Sequence, residues 1–210
     1  RRQRQMCIRD RYETYRYFDG CTKLRSWICM PLIAGLQNRS EGTVRALLGK
    51  EQMTENGLLT EQGSSTFWDR STLYALRGIY IAGQADRATE FLSHYARRRL
   101  LGDHVPYPIE AWPEGSQRHL AAESGLFCRV ITEGLFGIRP TGFRSFDLTP
   151  SMPSGWNRMA LRHIRAFENN FDLVIEKQPD GFLRVTLAIS GCNPRAFRLR
   201  QGASLRIKLP

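Results

Sequence analysis

Two glutamates and a tryptophan stand together in one proline-rich segment, Pro106–His119 (PYPIEAWPEGSQRH). Glu110 and Glu114 flank Trp112, and a carboxylate held within hydrogen-bond reach of a water molecule can act as a general base. An indole ring beside it offers an apolar face on which the C–H face of a sugar ring can lie. The segment therefore predicts carbohydrate chemistry. A second interpretation stays open, in which both glutamates are solvated loop acids and Trp112 closes the end of a helical core.

A second polar group, Trp68, Asp69 and Arg70, lies well before this segment in the chain. Asp69 can accept hydrogen bonds, and Arg70 can donate them. Asp69 also suits the start of a helix, where the helix dipole and capping both favour a carboxylate, so ligand contact and capping are both open.

Two further polar residues, Gln117 and His119, complete the predicted substrate-binding set, which also includes Trp112. Glu123 lies four residues after His119 on the same face of a predicted helix, a spacing that favours a structural hydrogen bond over a metal site.

Histidines and cysteines do not form a metal-binding pattern. The five cysteines, Cys7, Cys21, Cys29, Cys128 and Cys192, are widely spaced and include no C-x-x-C pair. No His-x-x-x-His pair occurs either, so we expect no metal, no cofactor and no disulfide framework. Cys29 and Cys128 lie in apolar helical patterns and are predicted to be small core residues.

The formal charge of +11 would ordinarily suggest a polyanionic partner. Residues 1–11 hold five arginines and one aspartate, and they resemble a translated sequencing adapter, so we predict an artefactual leader. The other cations are almost all arginines, scattered among elements, without lysine runs interleaved with aromatic residues. We therefore expect no nucleic-acid partner. The longest apolar stretches fall short of the roughly 20 residues that a membrane-spanning helix needs.

Helices are expected to position the candidate residues. Apolar spacing predicts helices over 24–36, 40–49, 71–82, 86–100 and 120–135, with a loop over 54–66. Pro31 predicts a kink or a break in the first of these helices. From residue 143 onward, alternating segments predict strands joined as hairpins, over 159–167, 171–176, 183–189, 197–199 and 205–209.

Four segments, in this order, resemble parts of one enzyme family: MPLIAGL with TENGLLTEQGS, TFWDRSTLYALRGIYIAG, YPIEAWPEG with RHLAAESGLFCRVITEGLFGIRP, and FRSFDLTPSMPSGWNRMALRHIRAF. Together they resemble the C-terminal part of the six-hairpin glycosidases, the (α/α)6-barrel enzymes. The resemblance is closest to glycoside hydrolase family 63 and the mannosylglycerate-hydrolase-like proteins.

The resemblance implies a mainly α fold with a C-terminal β region. Residues 12–140 would form the last hairpins of a partial (α/α)6 barrel, and residues 141–210 would form a small antiparallel, β-sandwich-like tail. It also implies a glycoside hydrolase that cleaves glycosidic bonds of oligo- or polysaccharides with inversion. The general acid of the family comes from an earlier hairpin, so the polypeptide is expected to be an inactive fragment.

Within this resemblance, Glu110 matches the general base, and Trp68, Asp69 and Arg70 match a sugar-binding subsite. The chain has Ala-Trp where the family has Asn-Tyr after the base, and this leaves Glu114 open as the alternative base. Two other functions stay open. One is a glycoside phosphorylase with the same barrel, although a carboxylate at the base position would repel phosphate. The other is a non-catalytic carbohydrate-binding domain.

Overall fold

The computed structural model describes residues 12–101, 107–112 and 121–210, and the chain divides into two compact units at Gly134. Unit 1, which ends at Gly134, contains five α-helices among its described residues: α1 Met30–Ile33, α2 Ser40–Leu47, α3 Asp69–Ile81, α4 Ala85–Tyr95 and α5 Ala121–Arg129. A 3-10 turn precedes α1 at Ser26–Cys29, and π-helical turns follow α4 and α5 at Ala96–Leu100 and Val130–Leu135. Short strands pair antiparallel as β1 Met53–Thr54 with β2 Gly57–Leu58, and as β3 Phe67–Trp68 with β4 Ala111–Trp112.

Helix α3 is the centre of unit 1, since α1, α4 and α5 all pack against it. Its side chains Leu73, Leu76 and Ile79 are almost completely buried, and each such side chain contributes roughly 1.5–3 kcal/mol through the removal of apolar surface from water. The helix ends before Gly83, whose positive φ of +76° and N–H bond to the Tyr80 carbonyl close the last turn. The sequence places a glycine where the backbone turns left-handed, and this permits the tight connection to α4.

Unit 2, Leu135–Pro210, consists of two antiparallel sheets. Its strands are β5 Ile138–Gly142, β6 Ser145–Leu148, β7 Arg158–Ala166, β8 Asn169–Lys177, β9 Phe182–Ile189, β10 Arg195–Arg200 and β11 Leu205–Lys208. The strand orders are β10-β9-β8-β7 and β11-β6-β5. In β8 and β9 apolar residues alternate with polar ones, so one face of each of these two strands is buried. The Phe146 ring of β6 stacks on the Phe171 ring of β8, with their centroids 6.0 Å apart, and this joins the two sheets.

A bulge interrupts β7, where the pairing with β8 shifts between Leu161 and Ile164. His163 at the bulge has a φ of +56°. The Asp172 carboxylate of β8 accepts bonds from the His163 N–H at 2.8 Å and from the Arg162 guanidinium at 3.0 Å. These two bonds hold the irregular backbone in place and explain why a non-glycine residue adopts this conformation.

The prediction of a mainly helical (α/α)6 barrel is wrong. The structure is 33% helical and 29% strand, it contains antiparallel sheets, and the described helices form no helical barrel. Pro31 lies in the first turn of α1, so the segment predicted as a long helix forms a 3-10 turn and a helix of only 4 residues. The predicted loop 54–66 contains strand residues, and β5 and β6 were not predicted.

The strands predicted between residues 159 and 209 are confirmed as β7 to β11, with ends that agree within two residues. The helix predicted at 71–82 is confirmed as α3. Cys29 is buried as predicted, whereas Cys128 is exposed and is not a core residue. Across the described residues, no helix has both the length and the apolar character that crossing a bilayer requires.

Candidate functional site

The ladder between β3 and β4 brings the two predicted groups of site residues together. Trp68 pairs with Ala111, and Phe67 pairs with Trp112. Glu110 comes directly before β4, while Asp69 and Arg70 come directly after β3 as the first two residues of α3. The ladder therefore places Glu110 beside the first turn of α3, although the two segments are far apart in the sequence.

Arg70 binds two glutamates. Its Nη1 lies 3.0 Å from Oε1 of Glu110, and its Nε donates a hydrogen bond to Oε1 of Glu123 on α5 at 2.6 Å. The Glu123 side chain is completely buried, whereas that of Glu110 is 38% exposed. Burial opposes the charge on Arg70, but the bond to Glu123 and the charges of both glutamates outweigh it and raise the pKa of Arg70. The result is a fixed cation that connects one buried carboxylate to one accessible carboxylate.

Asp69 faces the interior and ties the site to the core. Its side chain is 1% exposed, and its Oδ2 lies 3.2 Å from Nη2 of Arg99, which is 3% exposed. The same oxygen accepts the backbone N–H of Ile109 at 2.8 Å. Because Ile109 precedes Glu110, this bond fixes the backbone next to the accessible carboxylate. The nearby phenol of Tyr95 has a pKa well above its ordinary value, chiefly because it is buried and also because Asp69 is negative.

Three half-buried rings, which we name the aromatic cluster, lie at the start of α3: Trp27, Trp68 and Tyr74. The Trp27 ring meets Trp68 edge to face at 5.7 Å and Tyr74 at 5.8 Å between centroids. Tyr74 follows Arg70 by four residues on α3, so the cluster extends along the helix from the site. Partly exposed aromatic faces next to charged groups are suited to stack against sugar rings while polar groups bind hydroxyls.

A second set of ion pairs continues along the contact between α3 and the end of α5. The Arg77 Nη1 bonds Oε2 of Glu133 at 2.9 Å, and Arg129 Nη2 bonds the same oxygen at 3.0 Å. Arg77 also lies over the Tyr74 ring, 5.4 Å from its centroid. Burial lowers the pKa of Arg77, and the charge of Glu133 opposes this effect. These pairs fix α5 against α3 and hold the Tyr74 ring on one side.

Four predicted site residues, Trp68, Asp69, Arg70 and Glu110, therefore come together. Trp112 takes part through its backbone pairing with Phe67. Glu114, Gln117 and His119 lie outside the described residues, as does the predicted bond between His119 and Glu123.

Sequence reasoning missed the roles of Arg99, Glu123 and the Trp27 and Tyr74 rings. Arg99 pairs with Asp69 across a separation of 30 residues. Glu123 binds Arg70 across 53 residues. Sequence spacing gives no signal at such separations, and only the helical period that puts Tyr74 one turn after Arg70 could have been read from the sequence.

Among the described residues, no group of three or more His, Cys, Asp and Glu side chains could hold a metal ion. Comparisons with protein-family models, with curated proteins and with solved structures found no match, so the resemblance to six-hairpin glycosidases has no support from them either.

Proposed function

We propose that the chain acts on carbohydrate as a glycoside hydrolase, with Glu110 as the general base. The proposal rests on the residues alone and no longer on a barrel family. The expectation of an inactive fragment followed from that family and is therefore not part of the proposal. The observation that carries it is the position of Glu110, which is 38% exposed and held by Arg70 at 3.0 Å beside the strand that carries Trp68. A general base must be accessible and fixed in position, and this glutamate meets both requirements.

In the proposed reaction the sugar stacks on the aromatic cluster, and its hydroxyls bind Arg70 and Glu110. Oε1 of Glu110 is engaged by Arg70, so we assign Oε2 to the water that it deprotonates. Attack of this water on the anomeric carbon with proton transfer to Glu110 gives inversion. The leaving oxygen must receive a proton from a second carboxyl group.

Glu123 does not suit this second role because it is completely buried and bonded to Arg70. Glu114 lies four residues from Glu110 in the same segment, outside the described residues. It is the alternative general base, and the variant Glu114→Gln tests it beside Glu110→Gln.

The experiment measures hydrolysis of a panel of oligosaccharides by product analysis and binding by calorimetry. For Glu110→Gln we expect a rate lower by about 10²–10⁴-fold with binding retained. The matched control is Glu55→Gln, which removes another exposed glutamate of unit 1 that pairs with an arginine, at 2.7 Å from Arg98. The control should keep the native rate. Loss of activity in Glu114→Gln with full activity in Glu110→Gln would move the base to Glu114, and native rates in both variants would refute the site.

Binding of carbohydrate without hydrolysis is the second candidate function. The ion pair itself favours this function, since Arg70 can donate hydrogen bonds to sugar hydroxyls and Glu110 can accept them. Such binding needs no proton transfer to the glycosidic oxygen. This function predicts that oligosaccharides bind, that Trp68→Ala weakens binding, and that no product forms.

A further inference from the structure

Seven of the eleven excess positive charges of the chain lie in unit 2, whereas the sequence pattern indicated arginines scattered among the elements. Leu135–Pro210 holds twelve Lys and Arg residues against five Asp and Glu residues, a net charge of +7. Residues 12–134 hold fourteen of each and are formally neutral. A domain of this size with such a charge attracts polyanions over a long range.

All five acidic residues of unit 2 are already used in ion pairs with arginines. The pairs are Arg144 with Glu168, Arg158 with Glu176, Arg162 with Asp172, Arg198 with Asp180 and Arg206 with Asp147. Within this unit, every residue of which the structure describes, seven cations are left without a carboxylate in these pairs: Arg139, Arg165, Lys177, Arg184, Arg195, Arg200 and Lys208. The surplus is therefore a property of the folded unit.

Five arginines share the solvent face of the four-stranded sheet, which we name the basic face. Arg165, Arg184 and Arg200 belong to the seven cations left without a carboxylate, whereas Arg158 and Arg198 are in ion pairs. The buried residues of β9 are Leu183, Val185, Leu187 and Ile189, so Arg184 points to the opposite, exposed side. The register places Arg198 directly opposite Arg184, and Arg184 opposite Glu176. Arg165 pairs with Asn170 and so projects from the same side.

The pairing of Arg198 with Arg184 puts like charges on neighbouring strands. Side chains at such positions have Cβ atoms about 4.5–5.5 Å apart, and like charges there destabilise a sheet. Asp180 neutralises Arg198 at 2.7 Å, but Arg184 and Arg200 stay exposed without a carboxylate among the ion pairs of the unit. Phe182 holds two of the guanidiniums in place, since Arg198 lies 3.6 Å and Arg200 5.6 Å from its ring centroid. An anion laid across β9 and β10 would relieve the repulsion.

We propose that the basic face binds an acidic polysaccharide, a chain whose carboxylates or sulfates repeat along its length. The choice of a polysaccharide rests in part on the proposed function. It also rests on the face itself, because Arg198 covers the Phe182 ring at 3.6 Å. Proteins that bind single-stranded nucleic acid use open aromatic rings on which bases stack, and Phe182 is not open in this way.

The test uses the full chain and fluorescently labelled polygalacturonate, with sulfated dextran as a second polyanion and neutral dextran as the uncharged probe. We expect both polyanions to bind and neutral dextran not to bind. Affinity should fall steeply between about 50 and 200 mM salt because binding releases counterions. The double variant R184Q/R200Q should weaken binding by about 25-fold, since each arginine near an anionic surface contributes about fivefold. Its salt dependence should also be shallower.

The matched control R139Q/K208Q also removes two unpaired charges of unit 2, but from β5 and β11 of the other sheet. It should bind nearly as tightly as the native chain, and circular dichroism should show both double variants folded. Equal weakening in both doubles would overturn the assignment to this face, as would binding of neutral dextran at the same affinity. Tighter binding of a single-stranded oligonucleotide than of polygalacturonate would replace the polysaccharide by nucleic acid.

If the proposed hydrolase function is wrong, the results will differ from those that overturn the binding of polyanions by the basic face. In that case Glu110→Gln and the native chain would be equally inactive on every sugar, while R184Q/R200Q would still lose affinity for polygalacturonate.

Discussion

Replacement of Asp69 by alanine should destabilise unit 1 more than the replacement of an exposed residue does. Asp69 is 1% and Arg99 3% exposed, with 3.2 Å between their charged atoms. Removal of one partner of a buried ion pair leaves an uncompensated charge, which costs about 3–5 kcal/mol. The Ile109 N–H would lose its acceptor as well, but the two losses share one carboxylate and do not simply add. We therefore expect Asp69→Ala to lower the free energy of unfolding by about 3–5 kcal/mol.

Urea unfolding followed by tryptophan fluorescence measures this loss, because Trp27 and Trp68 lie in the same unit. Glu55→Ala is the control, since it breaks an exposed pair with Arg98, whose side chains are 64% and 49% exposed. That change should cost at most about 1 kcal/mol. The double variant Asp69→Ala with Arg99→Leu should recover much of the loss because no charge stays buried. A loss below about 1 kcal/mol in Asp69→Ala, or a larger loss in the double variant, would refute the reasoning.

Two further predictions concern a glycine and a cysteine. Gly137→Ala should destabilise unit 2 far more than Gly191→Ala does in thermal melts. A Cβ at Gly137 (φ +65°) would lie 1.9 Å from the Thr149 carbonyl oxygen, whereas a Cβ at Gly191 (φ +77°) would have nothing within 4 Å. Equal losses of stability in the two variants would contradict this reasoning. Burial raises the pKa of the Cys29 thiol to about 12, so iodoacetamide at neutral pH should leave Cys29 unmodified until the chain unfolds. Since the unfolded thiol ionises near its ordinary pKa of 9.0, the folded state binds more protons above that pH. Stability should therefore fall from about pH 9 to 12, and Cys29→Ala should remove this contribution.

The strands of unit 2 could be predicted because their alternation is regular. In β9 the buried residues Leu183, Val185 and Leu187 alternate with Arg184 and Thr186, and this period of two is a local signal. By contrast, β5 contains Pro140 and Gly142, and only Ile138 of its residues is buried. A strand with one apolar anchor has no periodic pattern, so its pairing with β6 could not be anticipated.

The candidate site was predictable in its members and not in its connections. Glu110 was named from residue type and local context, whereas Trp68, Asp69 and Arg70 were named through the family resemblance. Which carboxylate binds which guanidinium depends on how β3 and β4 pair, and each of these strands is only 2 residues long. The expected helical barrel followed from the family resemblance alone. An apolar repeat can indicate a helix, but it does not specify how many helices pack around a common axis.

The bulge in β7 has a consequence for association between chains. β7 and β10 are the outer strands of the four-stranded sheet, and outer strands present unpaired backbone groups that can recruit strands of other molecules. In β7 the shift between Leu161 and Ile164 breaks the regular series of donors and acceptors, while exposed arginines occupy both ends of β10. Irregular backbone on one margin and repelling charge on the other protect the sheet from growing by addition of a further copy.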